Sequence, residues 1–197
     1  LTVNRKLKKS KLHDIQSYYC LINLHDLLEV KKISGRKDVV KFHGKFAKSV
    51  NRESNSIIKA LKILREKDLI SNYYSVFVNK RIPVFAGMGG GSSNAACLIK
   101  YLIGNKINKD LFNALDQKIG SDLRLFFYKQ GFLNNLKTVN KYKKKFNLHF
   151  LLVYPNIKCS TSYIYSKVKK YSKKSKYSLG KIKDVRKFIQ VIINEDN

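Results

Sequence analysis

Residues 81–96 read Arg81-Ile82-Pro83-Val84-Phe85-Ala86-Gly87-Met88-Gly89-Gly90-Gly91-Ser92-Ser93-Asn94-Ala95-Ala96. Four of the five positions from Gly87 to Gly91 are glycine, in a chain that has ten. Glycine loses more conformational freedom on folding than any other residue, so such a cluster has to meet a local demand. The demand that fits is a set of backbone N–H groups aimed at one concavity, with no Cβ atoms in the way. Ala95, Ala96, Leu98, Ile99 and Leu102 continue the run as a helix whose first turn is built of small residues. A glycine loop that leads into a helix N-terminus binds phosphate through free amides and the positive end of the helix dipole. Ser92 and Ser93 add hydroxyls able to bond a phosphate oxygen or to reach a phosphate-bound Mg²⁺. A flexible turn is the plain alternative, and it gives no reason for the run to enter Ala95-Ala96 directly. The run is not a GxxxxGKS/T loop, because no Lys follows Gly91, and no acidic residue stands in register for a dinucleotide fingerprint.

Outward from this loop, strand and helix patterns alternate. Ser54-Asn55 offers caps to a helix with Ile57, Ile58, Leu61 and Leu64 on one face, running to about Lys67. Tyr73–Val78 is rich in β-formers, and residues 15–33 read as paired strands. Lys109–Lys118 predicts a helix with Leu111, Phe112 and Leu115 inward, terminated by Gly120. Phe146–Tyr154 reads as a buried strand stopped by Pro155, Thr161 as the cap of a further helix, and Lys181–Ile193 as an amphipathic helix. This order predicts α/β or α+β layering. Lys141–Lys145 marks a seam, with the Lys/Ser run at 167–178 as a solvated loop.

The whole chain has 197 residues, 44% of them hydrophobic, which is enough to bury a core and excludes a disordered basic tail. No apolar run reaches the ~18–20 residues needed to span a bilayer. Cys20, Cys97 and Cys159 are scattered and odd in number, which argues against a disulfide framework or a zinc site and makes the cytoplasm the expected location. With 41 Lys+Arg against 13 Asp+Glu the net charge is +28, a value that ordinarily points to nucleic acid. Lys far outnumbers Arg here, and Asn, Ile and Tyr are abundant. All four have AT-rich codons, so genome composition accounts for much of the excess. The charge is also spread from Lys6 to Lys187 rather than gathered in one stripe.

Pro83 followed by Gly87-Met88-Gly89-Gly90-Gly91-Ser92-Ser93 and Ala95-Ala96 resembles the phosphate loop of the GHMP small-molecule kinases. Other segments resemble that family in the same order: Leu12-His13-Asp14-Ile15-Gln16-Ser17, then Leu24, Asp26 and Leu28, then Asn55 to Ala60, Ile119-Gly120-Ser121-Asp122-Leu123, and Ser160-Thr161 with Tyr165. The resemblance covers about residues 1–165. It implies a two-domain fold, with an α/β ATP-binding domain over 1–140 and part of a ferredoxin-like C-terminal domain over 146–197. It also implies that the chain lacks a lysine-bearing segment before Leu1 and a further portion after Asn197.

The activity implied is ATP-dependent phosphorylation of a hydroxyl, on a small molecule carrying a diphosphocytidyl group and destined for isoprenoid (terpenoid) synthesis. By the same resemblance Gly87, Gly89, Gly90, Gly91, Ser92 and Ser93 hold the ATP phosphates, Ser93 contacts Mg²⁺, and Asp122 is the general base. His13, Thr161 and Tyr165 would line the diphosphocytidyl pocket, with Tyr165 stacking on the base. Each has a rival reading: Asp122 as a loop aspartate, His13 as a structural histidine, Thr161 as a helix cap, Tyr165 as a core aromatic. Asp26 and Asn55 are assigned to structure. Leu12, Asn94 (where the family usually has Asp) and Arg124 depart from the pattern. Two alternatives stay open at this level: a GHMP kinase for mevalonate or a sugar, and a basic nucleic-acid-binding module, the latter leaving the glycine loop and Gly120-Ser121-Asp122 unexplained.

Overall fold

The computed structural model describes residues 1–7, 12–104, 107–141, 146–157 and 160–174, with 186, 189 and 190 besides. Along these residues run β1 (Thr2–Lys6), β2 (His13–Cys20), β3 (Leu27–Ile33), β4 (Val39–His43), α1 (Ser56–Glu66) and β5 (Tyr73–Asn79). After them come α2 (Gly90–Ile103), α3 (Lys109–Lys118), a 3-10 segment (Ser121–Phe127), β6 (Gln130–Asn135), β7 (Thr138–Lys141) and α4 (Thr161–Ser166). The chain divides into two compact units, Ile22–Phe127 and a second made of Leu1–Leu21 with Tyr128–Asn197.

The Ile22–Phe127 unit is built on a three-stranded sheet in the order β3-β5-β4, with β5 antiparallel to β3 and parallel to β4. A parallel pair needs a crossover connection, and α1 supplies it. Along α1 the residues Ile57, Ala60, Leu61 and Leu64 repeat at helical spacing and are buried, which sets the face that meets the core. The Asn55 carboxamide oxygen accepts from Ile58 N at 3.1 Å and starts the helix. Asn108 starts α3 in the same way, accepting from Leu111 N at 2.8 Å. Val76 and Val78 of β5, Leu98 and Ile99 of α2, and Leu115 of α3 close one continuous core with α1. Ala95 and Ala96, both buried, let α2 lie close against its neighbours. At one edge of the sheet the Asp38 carboxylate takes both Nη groups of Arg65 at 2.9 and 3.0 Å and the amide of Tyr74 at 2.9 Å. That bidentate pair joins the approach to β4, the end of α1 and the start of β5.

The other unit holds a four-stranded antiparallel sheet in the order β1-β2-β6-β7. Strand β2 serves two neighbours in turn, β1 along His13–Gln16 and β6 along Ser17–Cys20.

Three sequence expectations need correction. Residues 15–33 do contain two strands, but β2 and β3 belong to different sheets and different units and do not pair with each other. Phe146–Tyr154 forms no strand: Phe146 alone is buried, its amide donating to the Gln130 carboxamide at 2.9 Å, while Leu151 and Val153 are 91% and 80% exposed. An apolar run becomes a strand only where a sheet edge takes up its backbone donors and acceptors, and that partner is not written in the run itself. Thr161 is the first residue of α4 rather than its cap; Ser160 caps it, accepting from Tyr163 N at 3.4 Å. Of the helix expected over Lys181–Ile193 only residues 186, 189 and 190 are described, and these three are helical; the rest lies outside the described residues.

Candidate active site

The register of β3 against β5 pairs Leu27 with Asn79, so the residues just outside the ladder, Asp26 and Lys80, face each other at one end of the sheet. The chain leaves β5 through Lys80 and turns over residues 84–88 into α2. Gly89 sits at the helix N-cap in the left-handed region, with φ 64°. A Cβ at Gly89 would also lie 2.9 Å from Cζ of Phe126, so both backbone and neighbour call for glycine. At Gly90 a Cβ would press on Cγ2 of Ile82 at 3.1 Å. No side chain caps α2, and its first turn carries no acidic residue. The first helical hydrogen bond runs from Ser93 N to Gly89 O at 2.8 Å. The amides of Gly90, Gly91 and Ser92 precede that bond, at the positive end of a fourteen-residue helix. Ser92 and Ser93 are half-buried beside them. Amide donors, a first turn free of acidic residues and glycine where side chains would intrude make an arrangement able to receive an anion.

The loop is held from beneath. Asp26 accepts from Lys80 Nζ, from Arg81 N at 2.7 Å, from Ile82 N at 2.8 Å and from Asn94 Nδ2 at 2.9 Å. Its side chain is fully enclosed, and that of Lys80 is 5% exposed. Burial by itself would lift the Asp26 carboxyl, but hydrogen bonds from Lys80, Ile82, Asn94 and Arg81 outweigh it and hold the pKa below the ordinary carboxylate value.

Asp122 stands in the 3-10 segment Ser121–Phe127, which packs on α2. Gly120, with φ 128°, makes the turn out of α3, and Leu123 is completely buried beyond it. Lys100 of α2 donates to Phe126 O at 2.6 Å, and the Phe126 ring lies against Gly89. The segment that carries Asp122 is thereby fastened to the helix that carries the glycine loop. Asp122 keeps surface contact with solvent, yet desolvation by the protein around its carboxyl pushes the pKa upward. Arg124 is engaged away from it, bonding Asp116 at 2.6 Å and lying 4.7 Å over the Phe112 ring.

His13, Thr161 and Tyr165 all belong to the other unit. His13 is buried and stacks on Tyr165 with ring centroids 5.2 Å apart and planes 23° from parallel. Tyr171 lies on His13 as well, at 6.2 Å and 24°. The buried Nδ1 of His13 meets no hydrogen-bonding group among the described residues. Thr161 is exposed at the start of α4. The structure thus brings Gly89–Ser93 together with the Asp122 segment, and His13 together with Tyr165. Sequence reading passed over Lys80 and Tyr171. The first directly precedes the Arg81-Ile82-Pro83 entry to the loop, but its pairing with Asp26 arises only from the β3–β5 register; the second lies in a Lys/Ser-rich run with no pattern to single it out.

Residues 55–128, from the cap of α1 through the Asp122 segment, match the family described as GHMP kinases N terminal domain. The chain carries a GHMP kinase N-terminal domain. Among curated proteins, the 4-diphosphocytidyl-2-C-methyl-D-erythritol kinase of Pelagibacter ubique is 40% identical over 178 residues, 88% of this chain and 63% of that protein. The enzymes of the same name from Ureaplasma parvum and Persephonella marina are 29% and 33% identical, over 84% and 79% of this chain. The chain spans between 57% and 64% of the length of these relatives. Among solved structures, a 4-(cytidine 5'-diphospho)-2C-methyl-D-erythritol kinase covers 64% of this chain and 44% of its own at 23% identity, with a TM-score of 0.45. Within the matched residues 55–128 lie the glycine loop, Lys80, Asn94 and Asp122, while Asp26 precedes them. No helix among the described residues is long and apolar enough to cross a membrane.

Proposed function

We propose that the protein transfers the γ-phosphoryl group of ATP to the 2-hydroxyl of 4-diphosphocytidyl-2-C-methyl-D-erythritol, in the cytoplasm, as a step of isoprenoid synthesis. The observation that carries this reading is the uncapped, acid-free start of α2 at Gly89–Ser93, onto which the Asp122 segment is fastened through Phe126 and Lys100. The names of the relatives support the choice of substrate.

In this reading residues 1–140 are the ATP-binding domain and 146–197 part of a C-terminal domain. Gly87, Gly89, Gly90, Gly91, Ser92 and Ser93 receive the ATP phosphates. The residues present fit that group, since the N-terminal amides of α2 and the Ser92 and Ser93 hydroxyls supply donors and the first turn of the helix carries no acidic residue. Mg²⁺ would be held by the nucleotide phosphates, with Ser93 as the protein's contact, and would neutralise charge on the transferring group. Asp122 takes the proton of the substrate hydroxyl as its oxygen bonds to the γ-phosphorus and the bond to the ADP oxygen breaks. The upward shift of its carboxyl moves it toward the range in which a base is effective. His13, with its unbonded Nδ1, and Tyr165 receive the cytosine ring, and Thr161 completes the pocket.

The test is ADP release by the full-length protein with Mg²⁺ and ATP, with and without the diphosphocytidyl alcohol. Release is expected only with the alcohol and is suppressed by CMP. The acid limb of kcat/KM is expected above the ordinary carboxylate pKa, and Asp122→Asn is expected to lower kcat by about 10²–10⁴. Unchanged turnover in that variant, or indifference to CMP, overturns the reading.

A further inference from the structure

The start of α2 has no capping side chain of its own, so something else fixes the path of the chain into it. The residue that does so is 64 positions upstream of Gly90 in the sequence. Asp26, at the threshold of β3, is reached from two segments: Lys80, Arg81 and Ile82 at the entry to the loop, and Asn94 in the second turn of α2. A carboxylate offers about four acceptor sites, and each is taken by a different donor. One oxygen holds the two consecutive amides of Arg81 and Ile82, which sets the direction in which the chain leaves β5. The other joins Lys80 to Asn94, which sets the height of α2 relative to that exit. The Lys80 ammonium lies 3.4 Å from the place a Gly90 Cβ would occupy, directly against the first residue of the helix. Ile82, whose amide Asp26 holds, is the side chain that packs against Gly90.

We propose that Asp26 is the positioning residue of the nucleotide loop, fixing the amides of Gly90, Gly91 and Ser92 in the arrangement that receives nucleotide phosphates by locking Lys80, Arg81, Ile82 and Asn94 onto one carboxylate. The inference rests on the kinase reading above. Asp26 touches no substrate; it acts through Ile82, Lys80 and Asn94 on the backbone that does.

A bare Asp26→Ala change would leave a buried ammonium without a counter-charge and confuse misfolding with misplacement. The comparison is therefore made between full-length Lys80→Met and the double variant Asp26→Ala/Lys80→Met, with Asn94→Ala as a milder partner. Three quantities are read: the Kd for MgADP by calorimetry, the KM values for ATP and for the alcohol, and amide hydrogen exchange at Arg81 and Ile82. Loss of Asp26 is expected to raise the MgADP Kd and the ATP KM by about ten- to a hundredfold relative to Lys80→Met. The KM for the alcohol should stay within twofold, and exchange at Arg81 and Ile82 should quicken. Asn94→Ala should move the same quantities in the same direction by less. A residue that merely stabilised the fold would lower the active fraction, and so kcat, without moving either KM. Nucleotide affinity unchanged in the double variant overturns the proposal while leaving the kinase reading intact. An unsubstituted protein that binds no MgADP overturns both.

Discussion

At Gly89 two separate constraints meet on one residue, and neither is about flexibility. The backbone is left-handed at φ 64°, and the space a Cβ would need is filled by the ring of Phe126 at 2.9 Å. An alanine there has to bear the left-handed strain, roughly 1–2 kcal/mol, and displace a ring that belongs to the Asp122 segment. Gly89→Ala is accordingly expected to lower the thermal midpoint by several degrees and to raise the ATP KM in the same variant. A Gly89→Ala protein with wild-type values of both contradicts this account of the loop. The sequence made the density of glycine visible, but not which neighbour forbids a side chain at each position. Phe126 is 37 residues away along the chain, and only the fold brings it to Gly89. The Asp26–Lys80 pair hides for the same reason. Its members are 54 residues apart and become neighbours only through the β3–β5 register.

Helices and their caps were the easiest elements to read, because their signals are local. Asn55, with Ile57, Leu61 and Leu64 after it, announces α1 within a dozen residues, and the structure places the cap bond where that pattern puts it. Asn55→Ala is expected to cost about 1 kcal/mol of stability, measured as a shift in the urea midpoint without a change in the slope. A larger part of its side chain's role would show as a greater loss, since Asn55 Nδ2 also donates to Asn51 O at 3.2 Å and steadies the turn before the helix. Strands were harder. β5 is legible from Tyr73–Asn79 alone, because Val76 and Val78 alternate with exposed Phe77. Which strand pairs with which is a property of distant segments, and so β2 and β3 were read as partners when they belong to separate sheets. Phe146–Tyr154 failed for a related reason: hydrophobicity signals burial only when a partner surface is there to bury it.

For the whole molecule, the charge of +28 first suggests a polyanionic partner. Its reading changes with the start of α2 at Gly89–Ser93, where backbone amides stand without a capping side chain or an acidic residue. In the proposed kinase, scattered lysines would raise the rate at which phosphate-bearing small molecules arrive, in a salt-dependent way, while the recognition geometry would lie in the glycine loop. The match of residues 55–128 to the GHMP kinases falls on the part of the chain that holds this loop and Asp122, and the named relatives extend along most of the chain. The central claim is a phosphoryl transfer, as opposed to nucleotide binding or hydrolysis, and ³¹P NMR distinguishes these directly. Full-length protein with Mg²⁺, ATP and 4-diphosphocytidyl-2-C-methyl-D-erythritol is predicted to yield ADP and a new phosphomonoester resonance in equal amounts. ADP accompanied by inorganic phosphate alone, or ATP left intact, would contradict the account.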